Sequence, residues 1–194
     1  LFLIFLSDTI VYNGWRHIFF LYPPLILVLV YFVDNLIKRY RKIKILPVIN
    51  IIFIIILLNN FYVIFKLHPF QYVYFNLIFE KNANKLFEVD YWGVSNKYAL
   101  EKLIKNNPKK DKIRVGLASF TNLNRSKEMM KKELKNKLVL TGNDFSNADF
   151  IFNNNIFKMN PKYTKRYSIP KNYKKYSELK KGDILINEFY RKEW

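Results

Sequence analysis

The sequence predicts a membrane-embedded all-α part, with two full spanning helices and the end of a third, followed by a small soluble α/β domain. Three observations carry that expectation. Residues 1–76 hold seven Lys/Arg and only two Asp/Glu, whereas the rest hold 26 and 13, so the chain changes solvent near residue 76. Two apolar runs in the first part come close to the roughly 20 residues that cross a bilayer. Beyond Pro108, short apolar strands alternate with a Lys-rich helix, the pattern of a layered α/β unit. The expected domains are 1–76, transmembrane with an interfacial segment, and 77–194, extracytoplasmic.

The apolar run at 1–6 is too short to span and lacks the basic start of a signal peptide, so it reads as the last turns of a helix from a longer protein. Ser7 to Asn13 forms a polar loop. Ile18 to Val33 is the next apolar run, lengthened by Trp15 and Leu36-Ile37 at its edges, and Pro23-Pro24 predict a kink about one turn inside it. The loop at 38–44 carries five positive charges in seven residues. Ile45 to Phe65 then spans a second time. Short basic loops stay in the cytoplasm, so 7–16 and everything beyond about residue 66 are expected outside. That orientation makes the chain an integral protein of the inner (cytoplasmic) membrane with an extracytoplasmic carboxy-terminal domain.

Residues 67–79 are aromatic, sparsely charged and too short to cross, which suggests a segment lying along the outer leaflet. Ser95 is an expected N-cap for a helix that Asn107-Pro108 stops. Lys112 to Ala118 reads as a strand, 122–136 as a helix, and Lys137 to Thr141 and Ala148 to Asn153 as further strands. Gly182 to Arg191 closes the chain as a fourth strand, with 158–181 expected as loop plus one short helix.

Composition narrows the function classes. The net charge of +18 invites a nucleic-acid reading, but Lys, Asn, Ile, Phe and Tyr are abundant together and no nucleic-acid motif is present, so nucleic acid is not an expected partner. There is no cysteine, hence no disulfide framework or thiolate metal site, and two histidines are too few for a His-rich centre. Isolated glycines at 116 and 142 form no phosphate-cradling loop. No cofactor is evident, no metal ligands are assigned, and metal dependence is left open.

Three polar groups stand out. Arg16 and His17 lie among Tyr12, Trp15, Phe19, Phe20 and Tyr22 at the mouth of a hydrophobic segment. The Arg fork suits phosphate oxygens and His can add a hydrogen bond, although an Arg at a helix end also snorkels simply as an anchor. His68, Gln71, Tyr72 and Asn76 offer polar edges and aromatic faces for a sugar rim, or an aromatic belt. Glu88, Asp90, Tyr91 and Trp92 form an acidic and aromatic group that could hold a sugar or a cation, since extended backbone would put both carboxylates on one face; a turn that docks the soluble domain against the membrane part is the commoner explanation.

Three stretches resemble one family: Tyr12-Asn-Gly-Trp-Arg-His with Leu21-Tyr-Pro-Pro, His68-Pro-Phe-Gln-Tyr-Val-Tyr-Phe-Asn, and Phe87-Glu-Val-Asp-Tyr-Trp-Gly. In order and spacing they are similar to the carboxy-terminal part of bacterial multi-pass GT-C glycosyltransferases of the protein-O-mannosyltransferase and aminoarabinose-transferase kind. The resemblance covers residues 1 to about 95. It implies transfer of a sugar from a polyprenyl-phosphate donor at the outer face, with Arg16 and His17 on the donor phosphate and the other two groups bordering the sugar cavity. It also implies that the catalytic acid lies upstream of Leu1, since Asp8 sits in a late loop, so this chain supplies no catalytic residue and is expected inactive alone. The competing expectation is a non-catalytic membrane anchor presenting an external α/β binding module.

Overall fold

A computed structural model describes residues 19–40, 46–76, 78–156 and 166–193. The expected helix end at 1–6, the Arg16-His17 pair, most of the basic loop and residues 157–165 lie outside them. The chain divides into two compact units, 1–62 and 63–194.

In the first unit, a 3-10 turn at Phe19–Leu21 leads into α1, Tyr22–Arg39, and α2, Leu46–Leu67, follows. Both are long and apolar enough to cross a membrane, and the spanning window of neither is buried in protein. Apolar side chains such as Leu27, Phe32, Ile55 and Leu58 point outward on every side. A helix apolar all round that no core receives fits a hydrocarbon surround. The one acid of α1, Asp34, pairs with Lys38 at 2.6 Å. The kink expected from the prolines is corrected. Pro23 and Pro24 fall in the first turn of α1, where the backbone N–H they lack has no intrahelical partner to lose, so they start the helix rather than bend it.

The second unit is a five-stranded mixed sheet in the order β2-β1-β3-β5-β4. Its strands are β1, Ile113–Leu117; β2, Leu138–Gly142; β3, Phe150–Asn153; β4, Tyr173–Lys181; and β5, Ile184–Lys192. β1 runs parallel to β2 and β3, while β5 pairs antiparallel with β3 and β4. Among the described residues four helices accompany it: α3, Ala83–Leu86; α4, Asn96–Asn106; α5, Leu123–Glu128; and α6, Lys132–Lys137.

Alternation along the strands builds the core. Ile113 and Val115 of β1 and Phe150 and Phe152 of β3 face Leu100, Leu103 and Ile104 of α4. The opposite face carries Ile151 with Ala118, Tyr167 and Tyr173. A third cluster joins Phe70 and Val73 to Ala83, Ile184 and Ile186.

Two expectations gain detail here and two change. Within the segment at 67–79, Phe70 and Val73 are core residues packed with Ile184 and Ile186 of β5, while Tyr74, Ile78 and Phe79 stand exposed. The compact unit that holds them runs from Val63. The single helix at 122–136 is two short ones, broken at Met129–Lys131, where Met130 turns into the core. The loop expected at 158–181 contains β4, which forms a hairpin with β5 through Gly182-Asp183. β4 reads Tyr-Lys-Lys-Tyr-Ser-Glu-Leu-Lys-Lys and is an edge strand, where lysines guard the unpaired side and mask the strand signature.

Candidate functional site

The turn from Asp90 to Asn96 collects most of the buried polar groups. It closes with Gly93 N–H to Asp90 C=O at 2.9 Å and Asn96 N–H to Gly93 C=O at 3.1 Å. Asp90 is fully buried, and the Ser95 hydroxyl donates to its Oδ2 at 2.6 Å. The Asn187 amide of β5 donates to Ser95 Oγ, also at 2.6 Å. Ser95 stands at the N-cap of α4 as expected, yet its side chain caps nothing and serves Asp90 instead.

The sheet topology explains why this turn is held so firmly. β1 has parallel neighbours on both sides, so the chain leaves it in one direction and returns in the other. Open α/β sheets seat ligands beyond the carboxyl ends of the strands at such a point. Here the residues after β1 and β3 grip the turn. Asn154 Nδ2 donates to Asp90 C=O at 3.3 Å, Ser119 Oγ donates to Asn154 Oδ1, and Asn96 Nδ2 donates to Thr121 Oγ1 at 2.6 Å. The crevice is filled by the protein's own motif. A surface cavity of about 340 Å³ remains beside it at the ends of β1 and β2, lined by Leu117, Phe120, Asn122 and Asn124 among others and by no charged side chain.

Electrostatics follow from burial. Loss of water holds the Asp90 carboxyl above the usual carboxylate range, with the Ser95 and Tyr72 hydroxyls pulling it partway back. Burial, and then the adjacent Asp90 charge, holds the Tyr72 hydroxyl well above the usual phenol range, so it stays neutral and able to donate. Burial also raises Glu88.

The sequence-predicted residues separate into different roles. Asp90 and Glu88 do not share a face: the backbone turns at 89–92, Asp90 enters the core, and Glu88 stays half-buried at the surface. Asp90 therefore leaves the expected rim and becomes the post of the turn. Tyr91 and Trp92 project outward from that turn as an edge-to-face pair with centroids 5.2 Å apart. Tyr72 is brought to Asp90. His68, joined to Pro69 by a cis peptide, is exposed; its Nδ1 lies 3.1 Å from Gln71 Nε2, and its carbonyl accepts from Lys181 Nζ at 3.0 Å. Asn76 Oδ1 accepts from Phe79 N–H at 3.2 Å, a local turn contact. Arg16 and His17 lie outside the described residues.

Sequence reasoning missed Ser119, Thr121, Asn154 and Asn187, all buried. The run Asn153-Asn154-Asn155, directly after Phe150-Ile-Phe, was the available signal: three amides where an apolar strand ends. Among the described residues no three His, Asp or Glu side chains gather as metal ligands. No protein-family model matches the chain, and neither a curated protein nor a solved structure matches it significantly.

Proposed function

We propose that the chain is the carboxy-terminal part of an integral-membrane glycosyltransferase that takes a sugar from a polyprenyl-phosphate donor. In this reading α1 and α2 lie in the inner membrane, the loop at 38–44 faces the cytoplasm, and the α/β unit stands outside. Arg16 and His17 contact the donor phosphate. His68, Gln71, Asn76, Glu88, Tyr91 and Trp92 border the sugar, with Tyr72 and Asp90 positioning the turn behind them.

The observation that supports it best is the Asp90 turn. The protein spends a network of buried hydrogen bonds to present Tyr91 and Trp92 outward, 53% and 73% exposed, shortly after a membrane-competent helix. Rigid aromatic faces suit stacking on the apolar side of a sugar ring. The uncharged cavity beside the turn suits a neutral acceptor.

One observation favours the anchor reading. The buried acid of the motif is bonded to its own chain, and catalysis would need a positioned carboxylate from elsewhere. A donor-use assay on the full-length gene product in proteoliposomes separates the two, with radiolabelled polyprenyl-phosphate sugar as substrate. The transferase reading expects label to leave the lipid, with a loss of at least about tenfold in Arg16→Ala. Unchanged donor use in that variant removes Arg16 from the site, and no transfer by the intact protein favours the anchor.

A further inference from the structure

The exposed apolar surface of the second unit is unevenly placed. Among described residues, ten large apolar or aromatic side chains stand exposed between Tyr72 and Tyr98, against three between Ala99 and Glu193. Charge divides the same way. Residues 72–98 hold three Lys and three Asp/Glu, while 99–194 hold 23 Lys/Arg and ten Asp/Glu. A neutral, aromatic segment thus sits inside a strongly basic unit.

We infer that this segment is a platform that rests in the headgroup region of the bilayer, with Tyr74, Ile78, Phe79, Phe87, Tyr91 and Trp92 as its lipid-facing side chains. Two features choose lipid as the occupant. The segment begins a few residues beyond α2, whose last turn, Val63–Leu67, belongs to the same unit. Tyr and Trp combine an apolar body with a polar edge, the chemistry that settles at a membrane–water interface. Phe87, packed against Phe75 and Phe79 with centroids 5.2 and 6.0 Å away, makes part of the platform a preformed cluster.

The inference rests on membrane placement of α2 but not on sugar transfer, and it goes beyond the rim role of Tyr91 and Trp92. A rim that receives a lipid-borne donor has to touch lipid, so both roles fit one surface.

The test is tryptophan quenching in the full chain, reconstituted in phosphatidylcholine with or without brominated acyl chains. The protein has three tryptophans, so W15F/W194F leaves Trp92 alone. In a tryptophan-free background, I78W gives a second platform probe and M129W a reference on the exposed surface elsewhere. Brominated lipid is expected to lower Trp92 and I78W emission at least about twofold, with a blue-shifted maximum, and to leave M129W unchanged. If both platform probes are quenched by aqueous acrylamide as strongly as M129W and ignore bromine, the inference is overturned. Shielding from both quenchers overturns it too, because protein then covers the face. Donor use measured on W15F/W194F, which keeps Trp92, reads the transferase proposal separately.

Discussion

Replacing Gly93 by Ala tests the framework beneath every functional statement. Gly93 has φ +63°, a region in which an L-residue costs about 1–2 kcal/mol. Its Cβ would also stand under 3.0 Å from both Asn96 Nδ2 and Thr121 Oγ1, the two ends of a buried hydrogen bond. Relief requires parting that pair, and a buried polar group left unpaired costs about 1–3 kcal/mol. Together, less the about 0.4–1 kcal/mol that either alanine gains from a less free unfolded chain, these predict a loss of about 1–4.6 kcal/mol. Gly142 is the internal control, with φ +61° and open space within 4 Å of the point its Cβ would occupy. Gly142→Ala bears only the backbone cost with the same offset, and should lose about 0–1.6 kcal/mol. The assay is urea unfolding of the full chain in detergent, followed by tyrosine near-UV circular dichroism of the α/β unit. At about 3 °C per kcal/mol, Gly93→Ala should fall about 3–14 °C and Gly142→Ala less than about 5 °C. Losses within about 1 kcal/mol of each other would refute the reasoning, because the two sites differ in crowding and not in φ.

Two further predictions concern the same turn. Asp90 carries a carboxyl raised by burial, so its contribution to stability is fullest below the ordinary carboxylate range and is lost as pH rises through its raised value. Asp90→Asn should therefore gain on the wild type between pH 4 and pH 8 in urea midpoints; parallel curves would show that Asp90 is not perturbed. Ser95→Ala removes the acceptor of the Asn187 amide and the donor to Asp90, and should cost about 2–4 kcal/mol, whereas Ser95→Thr should recover part of it. A loss below about 0.5 kcal/mol would mean that water replaces the hydroxyl, and the network would not be what holds the turn.

What was legible in the sequence follows the strength of each local signal. α1, α2 and α4 were readable from long apolar runs and from the Ser95 and Pro108 boundaries, and β1, β2 and β3 from short apolar bursts. β4 was not: an edge strand that pairs on one side takes lysines, and its pattern resembles a solvated loop. The prolines of α1 pointed to a kink because sequence places them in an apolar run without showing where the helix begins. The pairing of Asp90 with Ser95 and Asn154, and of Ser95 with Asn187, was invisible, since Asn154 and Asn187 are distant in sequence and meet the turn only through the sheet order. The aromatic motif at 91–92 was visible, but which acid stood behind it was not.

The most direct test of the central claim is which side of a membrane each part occupies. The chain has no cysteine, so single cysteines report without background. K42C in the basic loop and D183C in the β4–β5 turn can be labelled in intact cells with a membrane-impermeant maleimide. Two spanning helices with the basic loop inside predict that D183C reacts at once and K42C only after the membrane is opened, with both proteins extracted by detergent alone. D183C reachable only from the cytosol, or protein released by a salt wash, would contradict that placement.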